Sequence, residues 1–136
     1  MKILLVEDSN TLSRLFQVQL RQLGHTVATA LDKATALVTF TSDEFDMIFI
    51  DMGLEGQQDR GVQILREIKM QKPEQRVVIL SSNDTRDLVH QSKEGGAEFY
   101  MVKPFTTDGV SLVLNGDKQA VHDHLPGVGE GRIIVL

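Results

Sequence analysis

Ile3-Leu4-Leu5-Val6-Glu7-Asp8 is a short, wholly apolar run that stops abruptly on two carboxylates. A run this short, with no polar face, fits a strand buried on both sides of a sheet. The pattern returns along the chain. Met47-Ile48-Phe49-Ile50 stops at Asp51, Val77-Val78-Ile79-Leu80 at Ser81-Ser82, and Phe99-Tyr100-Met101-Val102 at Lys103-Pro104. Val27 to Ala30 is a further run without such an ending. In an open parallel sheet, ligands bind at the carboxyl ends of the strands. If these runs are parallel neighbours, three carboxylates, a hydroxyl and an ammonium meet at one spot. That set suits a metal-assisted phosphoryl-acceptor site.

Between the strands near 3–6, 25–30, 46–50, 76–81 and 97–102 the apolar spacing changes to that of helices. Leu12, Leu15, Phe16, Gln19 and Leu23 recur at intervals of three and four, with Ser9 or Asn10 as N-cap and Gly24 as the stop. Ala34, Leu37, Val38 and Phe40 predict a second helix, opened by Asp32. A third, carrying Val62, Leu65, Ile68 and Lys69, begins after Gly61 and ends before Pro73. A fourth, opened by Asn83 or Asp84, carries Leu88 and Val89 and stops at Gly95-Gly96. Strand–helix alternation with crossovers of this length implies right-handed βαβ units and a parallel sheet.

The composition agrees with one soluble domain. The 136 residues suffice for a core of ordinary size. A net charge of −5 leaves no basic excess to offer phosphates, which argues against nucleic-acid or anionic-membrane binding. The absence of cysteine excludes disulfides, thiolate nucleophiles and zinc–thiolate sites. The apolar runs are far too short to span a bilayer, and Glu7-Asp8 arrives before a signal-peptide core could form. Cytoplasmic residence is the expectation.

Residues 106–136 are less regular than 1–105, which read as the core. Gly109 and Gly116 interrupt the stretch where a fifth helix is due, each costing about 1 kcal/mol against Ala inside a helix. Val110, Val113, Leu114, Val121 and Leu125 still allow a weak apolar stripe. A strand from Val110 to Leu114, turning at Asn115-Gly116, is the rival reading. Pro126-Gly127-Val128-Gly129-Glu130-Gly131 reads as a loop or linker. The run Arg132 to Leu136 is too apolar to stand alone in water. It can pack on this domain, pair with a partner's edge, or begin another domain.

The strand ends carry the chemistry. An aspartate that accepts a phosphoryl group must be ionised and must meet phosphorus in line, and Asp51, alone after the central strand, is the candidate. A negative nucleophile approaching a negative phosphate needs a cation between them. Mg²⁺ suits, because it binds through one or two carboxylates while keeping waters and phosphate oxygens. Glu7 and Asp8 complete a three-carboxylate cluster whose mutual repulsion disfavours full ionisation without metal. Lys103 supplies a point charge and Ser81 a hydroxyl donor for phosphoryl oxygens. Each piece alone has an ordinary reading as a helix cap, turn residue or solvated end; the weight lies in the combination.

Ile3-Leu4-Leu5-Val6-Glu7-Asp8-Ser9, Asp51, Ser81 and Lys103-Pro104-Phe105 together make the stretch from Met1 to about Phe105 resemble a response-regulator receiver domain. Such domains are the phospho-acceptor half of two-component signalling. The resemblance implies an α/β, flavodoxin-like, doubly wound fold with five parallel strands in the order 2-1-3-4-5. It implies that Asp8 and Asp51 bind Mg²⁺ directly and Glu7 through water, with the Gly53 carbonyl as a further ligand. It implies a cis Lys103-Pro104 peptide that aims the lysine into the site. It also implies a switch in which Ser81 moves toward the phosphoryl group and Tyr100 rotates into the vacated space. A half-buried strand aromatic is the ordinary alternative for Tyr100. A small residue at Ser82 leaves access to the acyl phosphate, and Asn83 is placed to influence attack by water.

Three departures stand out. Glu55 occupies the place of a usual proline, and Gly61 comes about two residues late, so the loop after Asp51 is longer. Serine at 81 keeps the donor but lacks threonine's methyl. The tail does not resemble the usual fifth helix, so the family's target-binding or dimerising face is not carried over. Elsewhere, His122-Asp123-His124 could present alternate residues to a metal on a strand, but no third ligand accompanies them.

The leading function is therefore a signalling switch, phosphorylated on Asp51 by a sensor histidine kinase, a phosphotransfer protein or a small donor such as acetyl phosphate. It serves an unnamed downstream protein, with a homodimer as one way of acting, and has no external turnover substrate. The runner-up is a pseudo-receiver, an interaction module that works without phosphate; no acidic or lysine site residue is missing to favour it. A haloacid-dehalogenase-like phosphatase needs an aspartate where Gly53 stands, Glu7-Asp8 would repel a flavin phosphate, and a nucleotide hydrolase lacks its phosphate-loop lysine motif here.

Overall fold

Strands β1 (Lys2–Val6), β2 (Thr26–Ala30), β3 (Met47–Asp51), β4 (Val77–Ser81) and β5 (Phe99–Val102) pair in parallel in the order 2-1-3-4-5, as expected. A sixth strand, β6 (Ile133–Val135), joins the outer edge of β5 in antiparallel register, with Tyr100 opposite Ile134. The terminal apolar run thus covers the edge of its own sheet. The computed structural model describes all residues but Ser9, Asn10 and Val128, and the backbone alone of Thr11 and Leu12. The N-cap expected at Ser9 or Asn10 lies outside the described residues.

Because strand side chains alternate, the sheet buries apolar residues on both faces. Leu4, Val6, Ile48, Ile50 and Ile79 meet α2 (Lys33–Ser42), α3 (Arg60–Gln71) and α4 (Arg86–Glu94) on one side. Ile3, Leu5, Phe49, Val78 and Met101 meet α1 (Thr11–Gln22), α5 (Thr107–Asn115) and α6 (Lys118–Asp123) on the other. Within β1, β3, β4 and β5, no apolar position faces water except the partly covered Val102. That two-sided burial is why the runs carry no polar alternation.

The helices depart from expectation in detail. In α1, Phe16 and Leu20 are buried, whereas Leu15 is 55% exposed. In α2, Asp32 is the N-cap and accepts from the Thr35 N–H, as expected, but Ala36 and Phe40 face the core while Val38 is 65% exposed. The α3 helix starts at Arg60, so Gly61 lies in its first turn. There a Cβ would stand 2.6 Å from the Asp51 carbonyl oxygen, a contact that only glycine avoids. The α4 helix starts at Arg86 with Thr85 at its N-cap, not Asn83 or Asp84. Those two are engaged elsewhere: the Asn83 carbonyl accepts from the Tyr100 hydroxyl and Asp84 pairs with Arg132.

The fifth helix forms despite its glycines, so the strand reading of Val110–Leu114 is wrong. Gly116 supplies the left-handed C-cap at φ 72°, its N–H reaching the Leu112 and Val113 carbonyls. Gly109 lies under the tail: a Cβ there would meet Glu130 Oε1 at 3.0 Å and Ile133 Cδ1 at 3.1 Å. Local helix propensity is sacrificed so that the returning chain can sit down on α5. The returning loop is closed by Glu130, which accepts from Thr106 Oγ1 at 2.6 Å and from the Gly127 N–H at 2.8 Å.

Candidate functional site

Parallel register fixes which strand ends meet. Val6 lies beside Ile50, Asp51 beside Leu80 and Ser81 beside Val102, so Glu7, Asp51, Ser81 and Lys103 emerge on neighbouring ladders at one edge. Backbone bonds carry the ladder through these residues: Glu7 N–H donates to Ala30 O, Met52 N–H to Leu80 O, and Lys103 N–H to Ser81 O. The Lys103-Pro104 peptide is cis.

Lys103 lies between two carboxylates. Its Nζ donates to Glu7 Oε1 at 2.8 Å and stands 3.6 Å from Asp51 Oδ1. The Lys103, Glu7 and Asp51 side chains are 14%, 1% and 15% exposed. Burial pushes the Glu7 carboxyl above the usual carboxylate range, with Lys103 opposing the shift, Asp51 adding to it and a Ser13 hydrogen bond opposing it. Burial also raises Asp51; Lys103 opposes, the Asp8 charge adds, and the Gly53 N–H, bonded to the carboxylate, opposes again. Asp8 is half-buried. The cluster is a concentrated negative charge relieved by one cation, an arrangement that favours a further cation when both carboxylates ionise.

A pocket opens over Asp51, lined also by Gly53, Gln58, Ser81, Asn83 and Lys103. Ser81 is buried, and its Oγ accepts from the Asn83 N–H at 3.2 Å. Tyr100 is fully buried, its hydroxyl donating to the Asn83 carbonyl at 2.7 Å and hydrogen-bonded with Ser81; burial raises its pKa. The aromatic is thus packed against the loop that carries Ser81, more deeply than a half-buried strand residue. Ser82 and Asn83 are exposed at the pocket mouth.

Sequence reasoning missed three participants. Ser13, one turn into α1, is buried and bonded to Glu7. Gln58 reaches the pocket because the longer loop folds back as a 3-10 turn, Leu54–Gly56, with Glu55 at φ 58°. Glu55 ties that loop down: Oε1 accepts from the Lys33 N–H at 2.8 Å and Oε2 lies 3.1 Å from Arg60 Nε. The third is the tail, whose Arg132 pairs with Asp84 at 2.6 Å. By contrast His122 and His124 share no site. His122 is 75% exposed, and His124 Nε2 lies 3.1 Å from Glu130 Oε1. Among the described residues, no three Asp, Glu or His side chains form a closed metal cage. Mg²⁺ does not ask for one, since it binds through few carboxylates and keeps its waters. Asp8 and Asp51, whose charges repel, are the carboxylates here that could offer oxygen donors to such an ion.

No helix among the described residues is long and apolar enough to cross a membrane. The chain is 34% identical over 111 residues to the alginate biosynthesis transcriptional regulatory protein AlgB of Pseudomonas putida, a match covering 82% of this chain and 24% of that protein. This chain therefore spans about a quarter of the length of that relative. It is 34% identical to the chemotaxis protein CheY of Pseudomonas aeruginosa, covering 78% of this chain and 86% of CheY. The crystal structure of NtrX from Brucella abortus superimposes with a TM-score of 0.76 at 32% identity, over 84% of this chain and 25% of that one. The sequence model of the response regulator receiver domain matches residues 3–114, so α6 and β6 lie beyond the matched span. This chain belongs to the response-regulator receiver-domain family.

Proposed function

We propose that Asp51 accepts a phosphoryl group from a histidine kinase's phosphohistidine, a phosphotransfer protein or a small donor, and that the modified domain is read by a protein partner. The observation that carries this reading is Lys103, held by Glu7 within 3.6 Å of the Asp51 carboxylate at the mouth of an open pocket. An Asp51 oxygen attacks phosphorus in line; the new P–O bond forms as the bond to the donor nitrogen or oxygen breaks, and the leaving group departs with the electron pair. Lys103 pairs with Asp51 before transfer and with a phosphoryl oxygen afterwards, and Ser81 donates its hydroxyl to another. Asp8 and Asp51, with the Gly53 carbonyl and a water-bridged Glu7, would hold Mg²⁺, which neutralises the charge that gathers during transfer. Water then cleaves the acyl phosphate past Ser82 and Asn83, so the chain acts on itself and turns over no separate substrate. Function inside the cell follows from a cytosolic phosphodonor.

The test is intact-protein mass after incubation with acetyl phosphate and Mg²⁺. One phosphoryl addition is expected for the wild type and none for Asp51→Asn or in EDTA. If the wild type gains no mass and also fails to bind beryllofluoride with Mg²⁺, the reading is wrong and the chain works as a phosphate-independent interaction module.

A further inference from the structure

The tail returns to the sheet beside the acceptor pocket, and its contacts fall on two of the loops that line it, those after β4 and β5. Gly131 N–H donates to the Pro104 carbonyl at 2.8 Å, and Val102 N–H donates to the Arg132 carbonyl at 2.9 Å. These two bonds bracket Lys103 from the outer side of β5. The fit is close: a Cβ on Gly131 would lie 1.9 Å from the Val102 carbonyl oxygen and 2.8 Å from that of Lys103. On the other loop, Arg132 Nε and Nη2 both reach Asp84 Oδ2, at 2.7 and 2.6 Å. Asp84 adjoins Asn83, whose carbonyl takes the Tyr100 hydroxyl and whose N–H donates to Ser81 Oγ. Glu130 anchors the near end of this strap by accepting from Thr106.

We infer that the strap Glu130–Val135 is a positioning element for phosphoryl transfer, with Gly131 seating the Lys103 turn and Arg132 holding the Ser81–Asp84 loop. Neither residue touches the reacting atoms. Both act through groups that do, Lys103 and Ser81, which explains why a segment beyond the matched family span bears on the site. Displacing a reacting group by about 1 Å can cost 10²-fold in rate, so a brace worth little in stability can still be felt in kinetics. The Arg132–Asp84 pair suits that role, since an exposed ion pair adds little to folding. The inference rests on the reading of Asp51 as acceptor.

The experiment measures the rate of acetyl-phosphate labelling and amide hydrogen exchange on the whole chain for wild type, Gly131→Val, Arg132→Ala and Arg132→Lys. Ile68→Val, a buried core position on α3, controls for general loss of stability. Gly131→Val is expected to free the amides of Ile134 and Leu136, the ones that face β5 in this register, speed exchange at the Lys103 N–H, and slow labelling about tenfold. Arg132→Ala should slow labelling about threefold with the melting temperature held, and Arg132→Lys should recover part of the loss. Ile68→Val should label at the wild-type rate. Labelling of Gly131→Val within twofold of wild type, with the Ile134 and Leu136 amides exchanging freely, overturns the inference and leaves the acceptor reading intact. Should Gly131→Val fail to fold, unchanged labelling in Arg132→Ala overturns it equally. A wild type that takes no phosphoryl group sinks the acceptor reading instead; the strap's hold on the two loops is then judged by exchange at Lys103 and Asn83–Thr85 alone, where no change also counts against it.

Discussion

The ion pair in the acceptor pocket and the ion pair that ties down the tail are built on opposite terms. Lys103 and Glu7 have side chains 14% and 1% exposed, whereas Arg132 and Asp84 are 59% and 42% exposed. In the pocket, strand geometry holds charges out of water, so their desolvation works against folding and their arrangement serves chemistry. At the tail, backbone seating and apolar packing hold the chain, and the exposed charges orient it at little energetic gain. Breaking a charge should therefore be costly in the first region and cheap in the second.

The largest effect is expected from Lys103→Met. It leaves Glu7 buried without its cation, so stability should fall by about 3 kcal/mol at pH 8, read by urea denaturation. Labelling of Asp51 should fall about 100-fold. Adding Glu7→Gln should restore most of the stability and none of the labelling. Recovery of both together would mean that Lys103 acts only as Glu7's partner.

Divalent metal should come next. At a hundredfold excess over its Kd, Mg²⁺ should add about 2.7 kcal/mol to the folded state, and Asp8→Ala should abolish the gain. An unchanged melting curve for the wild type at saturating Mg²⁺ would remove Asp8 and Asp51 as ligands. His122→Ala should leave the metal response intact, because that imidazole stands in solvent on the tail.

The two regions also differ in how much the sequence disclosed. The strand ends were legible because two-sided burial leaves an unbroken apolar run, and the first polar residue after it must be where the strand leaves the core. Glu7, Asp51, Ser81 and Lys103 were found that way, and parallel pairing brought them together. Ser13 was hidden, since a buried serine one turn into a helix looks like any solvated one. Spacing alone misplaces Leu15 and Val38, apolar residues at helical intervals that face water. Exposed apolar side chains are too common for spacing alone to exclude. In the tail, Gly109 and Gly116 look like interruptions of the helix. One is instead its left-handed cap, and the other is kept small for a contact with Glu130 and Ile133, which lie far along the chain. Propensity sees the cost of such a glycine and cannot see the neighbour that requires it. The pairing of Ile133–Val135 with β5 was one of three open choices, for an edge strand carries no mark of whose edge it joins.

The smallest effects sharpen the contrast through pH. Burial raises the Asp51 pKa, whereas at Glu130 burial is outweighed by hydrogen bonds from Thr106, Gly127 and His124, which hold the carboxyl below its ordinary range. A raised carboxyl binds its proton more tightly folded than unfolded, so ionising it costs stability. That cost is absent below the ordinary aspartate value and complete above the raised one. Asp51→Asn should therefore melt a few degrees higher than wild type at neutral pH in EDTA, with the gain fading as the pH falls to about 4. Glu130 has the opposite sign. Its stabilisation is full above the ordinary glutamate value and is lost as pH falls through the depressed one, so Glu130→Gln should melt lower at neutral pH and converge with wild type in acid. Thermal scans from pH 3 to 8 decide the matter. If both substitutions shift the melting temperature in the same direction at pH 7, the acceptor pocket and the tail anchor do not differ in the way their burial and hydrogen bonding require.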